Sequence, residues 1–155
     1  TTERRAFVTL AHVRFDLAAR KAEFTNAGHV YPCRVAPDGA VSWVESPGTP
    51  LGAGRPVERV TVVVPLVAGE VWVFLSDGVV EAMSADGDEA FGFARLEAAL
   101  APCGGKGARD VLKAVREAWK AHTGGDDPED DRTVVVVKVL DPAAAAGGSG
   151  IPRAV

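Results

Sequence analysis

A chain of 155 residues, 47% hydrophobic and 25% charged, is long enough for one domain with a real core and has the composition of an ordinary soluble globular protein. Its formal net charge of −4 argues against nucleic acid or an anionic membrane as the main partner, since either would call for a basic face. No apolar run approaches the roughly 20 residues that span a bilayer; residues 1–5 are charged without a signal-peptide core behind them; and two cysteines, Cys33 and Cys103, point to a reducing cytoplasm rather than a disulfide framework.

Residues 6–15 (AFVTLAHVRF) have strand composition and partial alternation, with Phe7, Thr9, Ala11, Val13 and Phe15 on one face. Residues 16–20 connect them to a second predicted strand, 21–35, with Pro32 near its end, where a missing N–H is tolerable. Pro37-Asp38-Gly39 is a hairpin turn, so this strand and the next, 40–45, should pair antiparallel. A Pro/Gly-rich loop fills 46–56. The following run, 57–66, carries a strand at 60–64 and turns through 67–70 into 71–75. There the sequence VWVFL predicts a strand buried on both faces, ended by Asp77-Gly78.

A short helix is expected at 79–83, a loop at 84–88, and a helix at 91–100 with Phe93, Leu96 and Leu100 at helical spacing. Gly104-Gly105 breaks it. A longer helix at 108–122 puts Val111, Leu112, Val115, Ala118 and Trp119 on one face and leaves Lys113, Arg116 and Lys120 to solvent. A Gly/Asp loop, 123–131, leads to residues 133–140, a second strand expected to be buried on both faces and to lie beside 71–75. Residues 141–155, rich in Ala, Gly and Pro, are expected to form a flexible tail. Strands joined by hairpins, with helices gathered later, give an α+β layered domain with largely antiparallel sheet.

Asp77 follows one buried strand and Asp130-Asp131 precede the other. If those strands are antiparallel neighbours, the two acidic sites meet at one edge of the sheet. Carboxylates converging there repel one another unless a cation neutralises them, and oxygen donors without Cys or His favour Mg2+ or Mn2+ over Zn2+. The plainer readings are a turn at Asp77-Gly78 and a solvated acidic loop. Asn26-Ala27-Gly28-His29 sets a His beside a Gly, a pattern that fits a close backbone approach, a site, or a satisfied structural His. Gly104-Gly105-Lys106-Gly107 lacks the leading glycine and the hydroxyl residue of a phosphate loop, Gly52-Ala53-Gly54 lacks the third glycine of a dinucleotide fingerprint, and His12, His29 and His122 have no zinc spacing with either cysteine.

Six short motifs stand in order between Phe7 and Leu140: Phe7-Val8-Thr9; Asn26-Ala27-Gly28-His29; Gly48-Thr49-Pro50-Leu51-Gly52; Ser76-Asp77-Gly78-Val79-Val80-Glu81-Ala82; Phe91-Gly92 with Arg95-Leu96; and Asp130-Asp131-Arg132-Thr133. Each alone is weak. The ordered set resembles the bacterial branch of the metal-dependent (PPM, type 2C) protein serine/threonine phosphatases, the branch of sporulation stage II protein E and the RsbU-like regulators of sigma-factor pathways. The resemblance implies a sandwich of two antiparallel sheets flanked by helices. It implies hydrolysis of phosphoserine or phosphothreonine on a signalling protein such as an anti-sigma-factor antagonist, by a water held between two Mn2+ or Mg2+ ions. It assigns Asp77 and Asp130 as metal ligands and sets Asp131, Gly78, His29 and Asn26 near the site. The implied partner is a phosphorylated protein, neither nucleic acid nor membrane, with room for a dimer or an upstream sensor domain, in the cytoplasm.

One family motif has no counterpart: the earlier Asp-Val-x-Gly-His-Gly type of turn, whose Asp bridges both metals. Residues 1–140 are therefore expected to be the C-terminal part of such a domain, lacking the family's N-terminal strands. The chain is then either part of a larger protein or a protein that has lost that half. In the second case a non-catalytic protein-binding module retaining the fold is the alternative.

Overall fold

A computed structural model describes residues 7–53, 59–125 and 131–141. The first strand, β1 (Leu10–Asp16), turns at 17–20 into β2 (Lys21–Ala27), and the two pair antiparallel from Leu10↔Ala27 to Asp16↔Lys21. The strand β5 (Thr61–Pro65) adds to the other side of β2, giving a sheet of order β1-β2-β5. A second sheet holds β3 (Cys33–Val35), β4 (Val41–Trp43), β6 (Val71–Leu75) and β7 (Val134–Lys138) in the order β4-β3-β6-β7, every pairing antiparallel. The expected partnership of the 71–75 strand with the last one is thus present, as is the 37–39 hairpin.

The residue period of two decides how the layers stack. From β6, Trp72 and Phe74 face the first sheet, where they meet Ala22, Phe24, Phe15 and Leu66; the Phe15 and Trp72 rings cross edge to face at 5.4 Å. Val71, Val73 and Leu75 face the opposite way, onto the helices. Sheet, sheet and helix layers therefore bury β6 on both faces, as its uninterrupted apolar sequence predicts.

Among the described residues, three α-helices follow. α1 (Asp77–Val80) is a single turn, α2 (Gly92–Leu100) runs into a short 3-10 turn at Ala101–Cys103, and α3 (Ala108–Thr123) closes on Gly124 in the left-handed conformation that glycine favours. Leu96 and Leu100 of α2 and Val111, Val115 and Trp119 of α3 form the buried stripe over β6.

Four expectations are corrected. The 21–35 segment is two strands, one in each sheet: a corner at Asn26–His29, with Gly28 at φ +70°, carries the chain across the sandwich. The last strand is half-buried rather than buried on both faces; β7 is the outer strand of its sheet among the described residues, and Val135 is 49% exposed. The helix expected at 79–83 starts at Asp77 and ends at Val80. Phe93 and Leu112 lie outside the buried stripe, Phe93 resting edge to face on Trp43. The tail at 142–155 and most of the acidic loop before Asp131 lie outside the described residues. Among those described, no helix is long and apolar enough to cross a membrane.

Candidate metal centre

The ladder between β6 and β7 ends at Leu75↔Val134, and one side chain extends it. The Ser76 backbone N–H donates to the Thr133 carbonyl (3.0 Å), the Thr133 N–H donates to Ser76 Oγ (3.0 Å), and the Ser76 hydroxyl donates to the Asp131 carbonyl (3.3 Å). Ser76 thus clamps the residue before Asp77 to the segment that leads into β7. Asp77 opens α1 at the surface; its Oδ1 accepts the N–H of the buried Gly78 (3.0 Å), which orients the carboxylate at the strand end. Asp131 is exposed at the same end of the sheet. Asp130 lies outside the described residues.

Asn26 and His29 form a closed corner. The Asn26 amide donates to the His29 carbonyl (2.9 Å), its Oδ1 accepts the His29 N–H (3.1 Å), and His29 Nδ1 accepts the Val30 N–H (2.8 Å). Asn26 is buried and works as a backbone brace. Because Cys33 pairs with Val73, the segment that joins His29 to β3 enters from the end of the sheet where β6 stops. Asp77, Gly78, Asp131 and His29 therefore share one end of the sandwich. Among the described residues, no group of three or more His, Cys, Asp or Glu is gathered as a metal site.

The motifs that looked separate in sequence meet in two places. Val8 and Leu51 exchange backbone hydrogen bonds (2.9 and 2.8 Å), and Gly48 lies so close to β2 that a Cβ there would stand 2.1 Å from the Asn26 carbonyl oxygen. That approach accounts for the glycine that opens the third motif. Phe91, buried beneath α1, donates its N–H to the Ala82 carbonyl (2.8 Å), while the Arg95 guanidinium bonds the carbonyls of Ala90 and Phe91 (3.0 and 3.3 Å) and pairs with Glu89. The fifth motif is thereby a brace for the turn after Asp77.

Residues 1–140 match the family model of stage II sporulation protein E (SpoIIE). The chain belongs to the stage II sporulation protein E family. Solved structures agree on the fold. The manganese-presoaked phosphatase domain of SpoIIE from Bacillus subtilis superposes with a TM-score of 0.68 at 21% identity, over 94% of this chain and 62% of that one. The SiaA-PP2C domain of Pseudomonas aeruginosa gives 0.70 at 18% identity, over 81% and 49%. The RsbU and RsbW domains of a Mycobacterium tuberculosis protein give 0.68 at 21%, over 86% and 37%. The chain therefore spans less than two thirds of each of these relatives. No curated protein sequence matches it. The fold is that of the SpoIIE/RsbU-like branch of type 2C phosphatases.

Ser76 stands in the fourth motif with no role assigned from sequence, although its hydroxyl joins the two acidic segments. The available signal was a hydroxyl residue directly before Asp77 facing an Asp-Asp-x-Thr segment, which becomes informative only once the two strands are known to pair.

Proposed function

We propose that residues 1–140 are the C-terminal part of a metal-dependent protein serine/threonine phosphatase domain. Its substrate is a phosphorylated signalling protein, of the kind exemplified by an anti-sigma-factor antagonist, in the cytoplasm. The observation that supports this reading best is the Ser76 clamp, which draws the Asp77 end of β6 and the Asp131 end of β7 together in a family fold. The donor chemistry fits: exposed hard carboxylate oxygens at one sheet end, with no thiolate, suit Mn2+ or Mg2+. The solved SpoIIE phosphatase domain was soaked in manganese.

In this reading Asp77 and Asp130 ligate the metal, and the bridging ligand comes from the part of the domain that this chain does not span. When bound, two such ions acidify a water and neutralise charge on the phosphoryl oxygens. Asp131 orients its neighbour or its waters. The Gly78 N–H holds Asp77 in place, and Ser76 fixes the distance between the two acidic segments. Asn26 and His29 brace the corner at the same end of the sandwich.

The test is Mn2+-dependent hydrolysis of p-nitrophenyl phosphate by this chain and by a version extended upstream. Activity in the extended protein that falls at least about a hundredfold in Asp77→Asn and Asp130→Asn is the expected result, as loss of a metal ligand removes the activated water. An extended wild type that binds Mn2+ and turns nothing over would sink the catalytic reading and leave the non-catalytic binding module.

A further inference from the structure

Two of the six ordered motifs, Asn26-Ala27-Gly28-His29 and Gly48-Thr49-Pro50-Leu51-Gly52, meet in one braced corner. Asn26 holds it from within, through two hydrogen bonds to the His29 backbone. Pro50 holds it from outside: a Cβ at Gly28, where φ is +70°, would meet the Pro50 ring at 2.5 Å. On the far side of His29, Val30 packs against the cluster that contains Val79 and Val80 of α1. The backbone is therefore pinned both before and after His29, as a preorganised side chain requires.

The strand register sets the height of this residue. β3 pairs with β6 as Cys33↔Val73. Four residues back from Cys33 stands His29, and four residues on from Val73 stands Asp77, so the antiparallel register carries the two to the same level at the end of the sheet. One bond then decides the chemistry of the ring. His29 Nδ1 accepts the Val30 N–H at 2.8 Å, which occupies its lone pair and leaves the proton of the neutral ring on Nε2. The ring is half-buried, and Nε2 has no hydrogen-bond partner among the described residues. A ring nitrogen that bears a proton offers no lone pair to a cation; it is a donor, and it matches an incoming oxygen.

We propose that His29 is a phosphate-binding residue and not a metal ligand, its Nε2–H donating to a phosphoryl oxygen of the substrate. The inference rests on the phosphatase reading, because bare carboxylates at Asp77 and Asp131 repel a phosphoryl group until divalent cations neutralise them. A neutral donor suits that setting. It adds a hydrogen bond to the anion without the repulsion that an arginine or lysine in its place would exert on the cations.

The experiment uses the protein extended upstream, with 15N in its three histidines, His12, His29 and His122. Long-range 1H–15N spectra show which nitrogen of each ring bears the proton, and His29→Asn assigns the His29 signals. His29 should carry its proton on Nε2 whether Mg2+ is absent or present. Inorganic phosphate added to the Mg2+-loaded protein should shift the His29 Nε2–H saturably and leave His12 and His122 in place. A proton on Nδ1, an Nε2 that gives up its proton to Mg2+, or a signal that phosphate does not move overturns the proposal. A crossed pair of variants separates binding from folding. His29→Asn keeps an acceptor within reach of the Val30 N–H and removes the Nε2–H, whereas His29→Gln sets an amide N–H near the Nε2 position. With Mn2+ and p-nitrophenyl phosphate, His29→Asn should lose about ten- to a hundredfold in kcat/KM, the effect of one hydrogen bond to a charged group, while its unfolding midpoint stays at that of the wild type. His29→Gln should recover most of that loss. Equal losses in the two variants, or full activity in His29→Asn, assign the ring a structural role and overturn the proposal. An extended wild type that hydrolyses nothing overturns the phosphatase reading, and the phosphate-dependent shift of His29 still decides the phosphate site.

Discussion

Glu70 directly precedes β6, is 2% exposed, and its carboxylate accepts three hydrogen bonds from two residues. It pairs with Arg34 of β3, whose Nε donates at 3.1 Å, and it accepts the Trp72 indole N–H at 2.9 Å. The same guanidinium lies over the Trp72 ring at 5.2 Å and donates to the Pro65 carbonyl in the other sheet at 3.0 Å. One buried ion pair thus ties β3, β6 and β5 together across the sandwich. Removing one partner strands the other, so Glu70→Ala should cost about 3–5 kcal/mol in urea unfolding. Glu70→Gln should cost clearly less, because the Trp72 N–H keeps an acceptor; equal losses in the two variants would show that the charge pairing with Arg34, and not the retained acceptor, holds the corner. Cys33 gives a pH prediction at the same scale. Burial pushes its thiol from the ordinary 9.0 up to about 12. A raised pKa of this kind contributes stability that is complete below pH 9 and is lost as the unfolded chain ionises above it. The contribution should fall by about 1.4 kcal/mol per pH unit between 9 and 12. A Cys33→Ala protein should show a shallower loss of stability across that window in denaturant titrations, and an identical slope would refute the assignment. Neither residue could be singled out from sequence. Gly69-Glu70 has the composition of any surface turn, and Arg34, the partner that makes Glu70 a core residue, stands 36 positions away.

At the scale of elements, legibility follows the strength of the local period. The run 71–75 has no polar interruption, α3 repeats its apolar residues at helical spacing, and 37–39 is strong turn chemistry; all three were readable. The corner at 26–32 was not, because the residues on both sides of it are strand formers and the turn is made by a side chain, Asn26, folding onto its own backbone. The exposure of β7 was hidden for a different reason: valines at 134–137 read as doubly buried, and whether a strand has a neighbour on each side is not written in its own residues. The candidate site was legible as two acidic segments at strand ends, while the clamp between them depended on the pairing register. The Asn26 corner yields a prediction. A Cβ at Gly48 would meet the Asn26 carbonyl oxygen at 2.1 Å, a backbone atom that cannot rotate away. Gly48→Ala should therefore force the 46–51 segment off β2 and cost about 1–3 kcal/mol. It should also broaden or shift the amide signals of His29 and Leu51, whereas an alanine tolerated without either effect would mean that the segment is loosely held.

Across the whole molecule, the two sheets are bonded unequally. β6 has hydrogen-bonded neighbours on both sides, β3 and β7, whereas β7 has only β6 among the described residues. Every second N–H of β7 consequently points away from its partner, on a strand whose Val135 is half exposed. Hydrogen exchange should divide accordingly. The β6 amides should open only with global unfolding, while the outward amides of β7 exchange at least about a hundredfold faster, near the rate of local fraying. Relatives are longer than this chain, which spans 62% of the SpoIIE phosphatase domain. An upstream segment that adds a strand to this edge would slow those same outward amides and leave β6 unchanged. Equal exchange in the two lengths would instead make β7 the true border of the sheet, and the added residues would then attach at β1, β4 or β5, the other strands bonded on one side among the described residues.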